Sequence, residues 1–351
     1  MSDQRRSRRS GNPAVAASAA AASEGPVRAP RTPPRRPGPV ARLVDAWTTE
    51  RVPVGVDYPH VLRTSTANPF TSVLGVTLGL LSFMVVTPLV MQALAGLYWL
   101  AIGSPGAYVD TYRSLIAYEL PFGLVVGHLG LALLIPISWA LLLFVHRVHP
   151  GYLSSVTRRL RWPWFWIALA AGFASLWAVL LVQNLIAPDG PTWGLNPQEG
   201  APWFLLVMLL TTPWQAAAEE YFFRGYLMQS LGSMVRSPWF GILTSAAVFT
   251  LFHGSLDPAL VADRFVFGVL AGWLVVRTGG LEAAIAAHVA NNVSSFALAA
   301  LTSSVAQVKA ISEVTWLVAA WDVGRFALFA LIIWALARGY RPQRVTAGRP
   351  V

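Results

Sequence analysis

From residue 70 to residue 337 the chain is a succession of long apolar runs. A run of about 20 apolar residues is long enough to cross a bilayer as a helix. The runs predict spans near 72–101, 119–145, 163–186, 201–220, 239–256, 264–277, 281–300 and 314–337. The fold class expected is therefore all-α, a polytopic membrane bundle of about eight transmembrane helices. The sixth run is short, and Gly268 and Gly272 recur in it at helical spacing, which permits close helix contact. Composition agrees. Hydrophobic residues make up 55% of the 351 and charged residues only 12%, about half the share in soluble domains. An ordinary soluble enzyme and a disordered chain are both excluded. The absence of cysteine excludes disulfides, thiolate metal sites and a cysteine nucleophile.

Charge orients the bundle. Positive charge is almost all arginine, with Lys309 the single lysine, and the formal net charge is +10. Eleven arginines precede residue 70. Arg147, Arg158, Arg159 and Arg161 follow the second span, Arg224 and Arg236 the fourth, Arg277 the sixth, and Arg338, Arg341, Arg344 and Arg349 the last. The alternate connections carry few basic residues, each near acids: Arg113 lies between Asp110 and Glu119, and Lys309 precedes Glu313. Cytoplasmic loops carry the Lys/Arg excess, so an even span count with both termini cytoplasmic is expected. The protein is expected to be integral to the membrane, in the plasma membrane, with lipid and not nucleic acid as its partner. Residues 1–45 read as a disordered basic tail without a cleaved signal, 46–69 as a linker, and 70–200 as N-terminal transmembrane helices. Residues 201–300 read as the core, and 301–351 as the last span with a basic tail.

Ionisable groups within a membrane bundle are costly, and each is a functional candidate. Three clusters occur between residues 219 and 292. In Glu219-Glu220-Tyr221-Phe222-Phe223-Arg224, a step of about 100° per residue puts Glu220 and Arg224 on one helix face, where they can pair. Glu219 lies about 140° from Arg224 on the same wheel and is left free to act as a base. Phe249 and His253 are spaced i and i+4, as are His288 and Asn292. One carboxylate, two imidazoles and an amide can activate a water and hold an oxyanion, or bind a divalent metal through His253, His288 and Glu219. No His-Glu-x-x-His motif secures the metal reading. His128 has no partner motif, Asp322 with Arg325 reads as a structural pair, and Arg264 reads as paired with Asp263 and Asp257.

The order of these clusters, Glu-Glu-x-x-x-Arg, then Phe-x-x-x-His, then His-x-x-x-Asn, resembles the CAAX-processing and bacteriocin-immunity endopeptidases (the CPBP, or Abi, intramembrane proteases). Residues 219–225, Phe267-Gly268 and Arg277 to Leu281 carry the same resemblance, which covers about 200–300. It implies an intramembrane endopeptidase, a hydrolase of a membrane-associated peptide or protein, with a cavity open toward cytosol and membrane. Glu219 would activate water and His253 position it. His288 and Asn292 would stabilise the oxyanion, and Glu220 with Arg224 would hold the site's shape. The aromatic Tyr221 and Phe223 would shape the cavity wall. The family is described both as glutamate-dependent and as a metalloprotease. If Glu219 is the base, two good ligands remain, too few for tight zinc, so any metal is expected to be weakly held or dispensable. Two alternatives use the same residues: a non-catalytic immunity or scaffold protein, and a transporter with a buried His/Glu proton relay.

Depth adds one requirement. With the fourth helix ending near 220 and the fifth starting near 239, His253 lies about 21 Å along its helix, at about 1.5 Å per residue. Glu219 and His253 share a site only if the fourth helix continues past Gly225 with Arg224 sheltered.

Overall fold

A computed structural model gives the structure of residues 38–186 and 194–347. The basic tail over residues 1–37, together with Asp189 and Arg349, lies outside the described residues. The described chain is helical, with two isolated β-bridges, Asp57 to Val345 and Ser155 to Gly280. In order the helices are α1 (Pro39–Trp47), α2 (Pro69–Ala101), α3 (Tyr108–Ile116), α4 (Pro121–Val145) and α5 (Trp162–Ile186). Then come α6 (Ala201–Glu220), α7 (Pro238–Phe252), α8 (Pro258–Thr278), α9 (Glu282–Thr302), α10 (Val305–Lys309) and α11 (Trp316–Tyr340). Local chemistry sets several starts. Asn68 accepts from the Thr71 amide at 2.9 Å ahead of Pro69 at the α2 start, and Asp257 accepts from the Leu260 amide at 2.9 Å ahead of Pro258 at the α8 start. A proline in the first turn loses no intrahelical bond, since that N–H would be unpaired anyway.

Every one of the eight apolar runs forms a helix. Six, α2, α4, α5, α8, α9 and α11, are long and apolar enough to cross a membrane. The fifth run, α7, has 15 residues. The fourth does not stop at Glu220. A π-helical turn over Tyr221–Leu227 carries it into a further turn, Met228–Gly232, so the continuation that the depth argument requires is present.

The connections sort to two ends. At one end the Arg-rich segments knit together. Gly55 and Thr346 are joined through the Gly55 amide and Thr346 carbonyl at 2.9 Å, Val156 donates to Gly279 at 2.9 Å, and Leu281 to Ser154 at 3.0 Å. Arg161 binds Glu282 through Nε at 2.7 Å and Nη2 at 2.6 Å, and the Thr278 carbonyl at 2.9 Å. Arg63 donates to the Ser233 carbonyl at 3.0 Å. Residues of the 46–69 linker take part in this layer: Tyr58 and Val61 are fully buried, and Tyr58 bonds the Leu153 carbonyl. At the opposite end Asn196 donates to Leu301 at 2.9 Å, Gln198 to Ala300 at 3.0 Å, and Val305 to the Gln198 side chain at 2.7 Å.

Small residues bring the helices close. The N-terminal half of α9, Glu282 to Ala290, is wholly buried against α5 and α6, and Gly172 of α5 faces Ala290 and Ala286. Gly268 and Gly272 of α8 face Ala246 and Ile242 of α7, the close contact that their spacing predicts. Asp322 and Arg325 pair at 3.1 Å. Arg264 corrects the expectation: no ion pair joins it to Asp263 or Asp257 among the described residues, and Asp263 Oδ1 and Arg264 Nη1 are buried without partners. The adjacent positions lie about 100° apart on the helix, so the two side chains diverge.

Candidate active site

The three sequence clusters meet at one cavity of about 310 Å³ in the middle of the bundle. Glu219, His253, His288 and Asn292 line it, with Gln215 and His128. Phe83, Leu131, Phe223, Phe252 and Phe296 supply apolar walls, and Tyr118 and Lys309 complete it.

Neighbours in the chain, Glu219 and Glu220, have different surroundings. Glu220 is fully buried. Its Oε1 accepts from Arg224 Nη1 at 3.1 Å and from His288 Nδ1 at 2.8 Å. Arg224, also fully buried, lies 3.9 Å above the Phe249 ring and 5.1 Å from the Phe267 ring. Such a stack suits a guanidinium with few donors paired. Glu219 turns to the cavity. Its Oε1 accepts from Gln215 Nε2 at 2.6 Å. Its Oε2 is buried without a hydrogen-bond partner and stands 3.7 Å from His288 Nε2.

Hydrogen bonds fix the tautomers by chemistry. A carboxylate only accepts, so His288 Nδ1 carries the proton toward Glu220 and Nε2 faces Glu219. His253 Nδ1 lies 2.8 Å from the Phe249 carbonyl, which also only accepts, so His253 Nε2 is the free acceptor of the neutral ring. The amides form a directed chain. Asn291 Nδ2 donates to Asn292 Oδ1 at 3.1 Å, Asn292 Nδ2 to Gln215 Oε1 at 3.0 Å, and Gln215 to Glu219. This chain orients both amides and steadies one Glu219 oxygen while leaving the other open.

Four residues beyond the sequence motifs join the site. Gln215 sits at i−4 from Glu219, and the helical spacing that pairs Glu220 with Arg224 also places Gln215 beneath Glu219. His128 is held by Thr211 at 2.8 Å and packs against Tyr118. Tyr118 and Lys309 come from connections, where no period marks them. The Lys309 ammonium is 5.2 Å from the Tyr118 ring centroid. Desolvation of that ammonium at the cavity wall, reinforced by Arg264 and opposed by Glu219, lowers its pKa from the ordinary lysine range. Tyr221, expected in the wall, points away and bonds Ser154 Oγ at 2.6 Å; only Phe223 of the two lines the cavity.

The cavity opens at the Arg-poor end, where Lys309 is exposed. Phe222, Phe223 and Tyr226 of the π-helical turn are buried; Phe223 lines the cavity, and Tyr226 is wedged against Gly75 and His146.

Among the described residues no three His, Asp or Glu side chains converge as ligands, and His288 spends Nδ1 on Glu220.

Residues 200–294 match the family described as type II CAAX prenyl endopeptidase Rce1-like. That stretch of the chain is similar to an Rce1-like domain. The domain spans α6 to the middle of α9 and so includes all six motif residues, Glu219, Glu220, Arg224, His253, His288 and Asn292. Among curated proteins, the uncharacterized protein YyaK of Bacillus subtilis (strain 168) is 26% identical over 177 residues. That match covers 48% of this chain and 58% of YyaK, under two thirds of the relative's length. No solved structure matches the chain. Beside this similarity, six helices are long and apolar enough to cross a membrane.

Proposed function

We propose that this protein is an intramembrane endopeptidase that hydrolyses a peptide bond in a membrane-associated peptide or protein, with residues 201–300 as its catalytic core. The observation that carries this reading is the buried, unpartnered Glu219 Oε2 on the cavity wall, beside His288 Nε2. A water seated there gives its proton to Glu219 as its oxygen attacks the scissile carbonyl carbon. His253 Nε2 accepts the water's other O–H and aims its lone pair. The carbonyl oxygen gains the negative charge. Asn292 Nδ2 has a second N–H to offer it, and the water proton taken up by Glu219 can pass to His288 Nε2, 3.7 Å away, which donates it to the oxyanion and returns it to Glu219 on collapse. Donors fixed beforehand at a developing charge are the main source of such catalysis. Collapse breaks the C–N bond, and the proton held by Glu219 passes to the departing amine. Glu220, held between Arg224 and His288, keeps the imidazole in place. No step is routed through a metal.

The Arg-rich end is assigned to the cytoplasm by the positive-inside rule, with both termini there, in the plasma membrane. The cavity mouth then faces away from the cytoplasm. The name of the matched family suggests prenylated CAAX peptides as the substrate class to try first.

The test is cleavage by the purified protein in lipid nanodiscs of a library of membrane-anchored peptides that includes prenylated ones. A single internal cut, mapped by mass spectrometry, is expected. Proton or solute flux in liposomes without any peptide product would replace the reading with a transporter, and neither product nor flux would favour a scaffold.

A further inference from the structure

The cavity has a second pole that the hydrolytic step does not use. Glu219 marks its inner end and Lys309 its mouth, and both line the same 310 Å³ space. Lys309 is the only lysine in a chain with 26 basic residues. Among the described residues no carboxylate forms an ion pair with it; its ammonium rests instead over the Tyr118 ring. Tyr118 is itself buried and fixed, packed against His128 and Phe296. An ammonium held by an aromatic face at a cavity mouth keeps its N–H donors available to an incoming anion.

The two poles have opposite charge, and this orders a peptide. An anionic group on the substrate is repelled by Glu219 and drawn to Lys309. The cavity is short, so that group must lie within a few residues of the bond placed at Glu219. We propose that Lys309, seated on Tyr118, is a specificity-determining residue that binds a carboxylate of the peptide substrate, either its C-terminal carboxylate or an acidic side chain close to the scissile bond. This rests on the endopeptidase reading for its substrate, but its test does not require hydrolysis. The competing role for Lys309 is electrostatic support of Glu219, which would be indifferent to the peptide's end group.

Binding is measured on Glu219→Gln protein in nanodiscs, with Lys309 intact or changed to Gln or Arg. The probes are three versions of one prenyl-cysteine peptide: a C-terminal acid, its C-terminal amide, and the amide carrying an aspartate in its last residue. The acid is expected to bind at least ~10-fold more tightly than the amide, the order of one charge-assisted hydrogen bond. Lys309→Gln should erase that difference and Lys309→Arg should keep most of it. Affinity recovered by the aspartate peptide assigns the site to side-chain carboxylates; affinity confined to the acid assigns it to the C-terminus. Equal binding of acid and amide, or a Lys309→Gln change that weakens both alike, overturns the proposal. Cleavage of the same peptides by protein with Glu219 intact is scored separately: discrimination in binding without any cleavage would retain the carboxylate site and remove the endopeptidase reading.

Discussion

Glu219 and Glu220 differ in what their second oxygens and neighbours do, and stability separates them. Glu220 is the shared acceptor for Arg224 and His288 inside the protein. Glu220→Gln leaves a buried guanidinium without its counter-charge, and breaking a buried pair typically costs about 3–5 kcal/mol. Glu219→Gln keeps an acceptor for Gln215 and touches no buried cation. The expected outcome is a clear fall in Tm for Glu220→Gln and little change for Glu219→Gln, read by thermal unfolding in detergent. Equal losses would show that the two carboxylates are structurally equivalent. The donor geometry also bears on metal. With Glu219 serving as the base, only His253 and His288 remain as good ligands, too few for tight zinc, so active purified protein should contain well under one equivalent of zinc, and prolonged chelation should leave most of the cleavage activity. Stoichiometric zinc whose removal abolishes cleavage and whose return restores it would make His253 and His288 ligands.

Among the helices, α8 owes its position to Gly268. A Cβ there would lie 2.8 Å from the Ala246 Cβ and 3.2 Å from Arg224 Nη2, so the α7–α8 contact and the buried arginine would both have to yield. Gly268→Ala should destabilise by about 1–3 kcal/mol, the usual cost of overpacking, whereas Gly324→Ala, with nothing near its Cβ in α11, should cause no loss; thermal unfolding of the two variants side by side checks this. Hydrophobic run length made all eight helices legible, since lipid imposes one simple requirement on each span. The pairing of Glu220 with Arg224 was legible for the same local reason, helical spacing. The π-turn over Tyr221–Leu227 was not, because an inserted residue changes the turn without changing hydropathy; only the need to bring Glu219 level with His253 pointed to it. Tyr118 and Lys309 were also beyond reach of the sequence. Tyr118 lies in the segment after α3 and Lys309 at the end of the short α10, and a tertiary contact between two connections leaves no period to read. Gln215 carried a usable signal, its i−4 spacing from Glu219.

For the molecule as a whole, the eight helical runs return the chain to one end, where residues 55 and 346 are hydrogen-bonded. Residues 55 and 346 therefore lie on the same side, and the positive-inside rule leads us to propose that this side is cytoplasmic. Single cysteines placed at residues 236 and 344 should be shielded from impermeant thiol reagents in intact cells, and ones at 198 and 311 should label; the absence of native cysteine keeps the background clean. The reverse pattern would invert the bundle and turn the cavity mouth toward the cytosol. The bundle's central feature is the cavity that joins residues from α6, α7 and α9 around one open carboxylate oxygen. Its most direct test is the cleavage rate of one membrane-anchored peptide by the unaltered protein and by Glu219→Gln, both folded and reconstituted in the same lipid. Loss of a positioned general base costs about 10²–10⁴-fold, so the account predicts at least a ~100-fold slower cut by Glu219→Gln at unchanged Tm; a rate within a few-fold of the unaltered protein would contradict it.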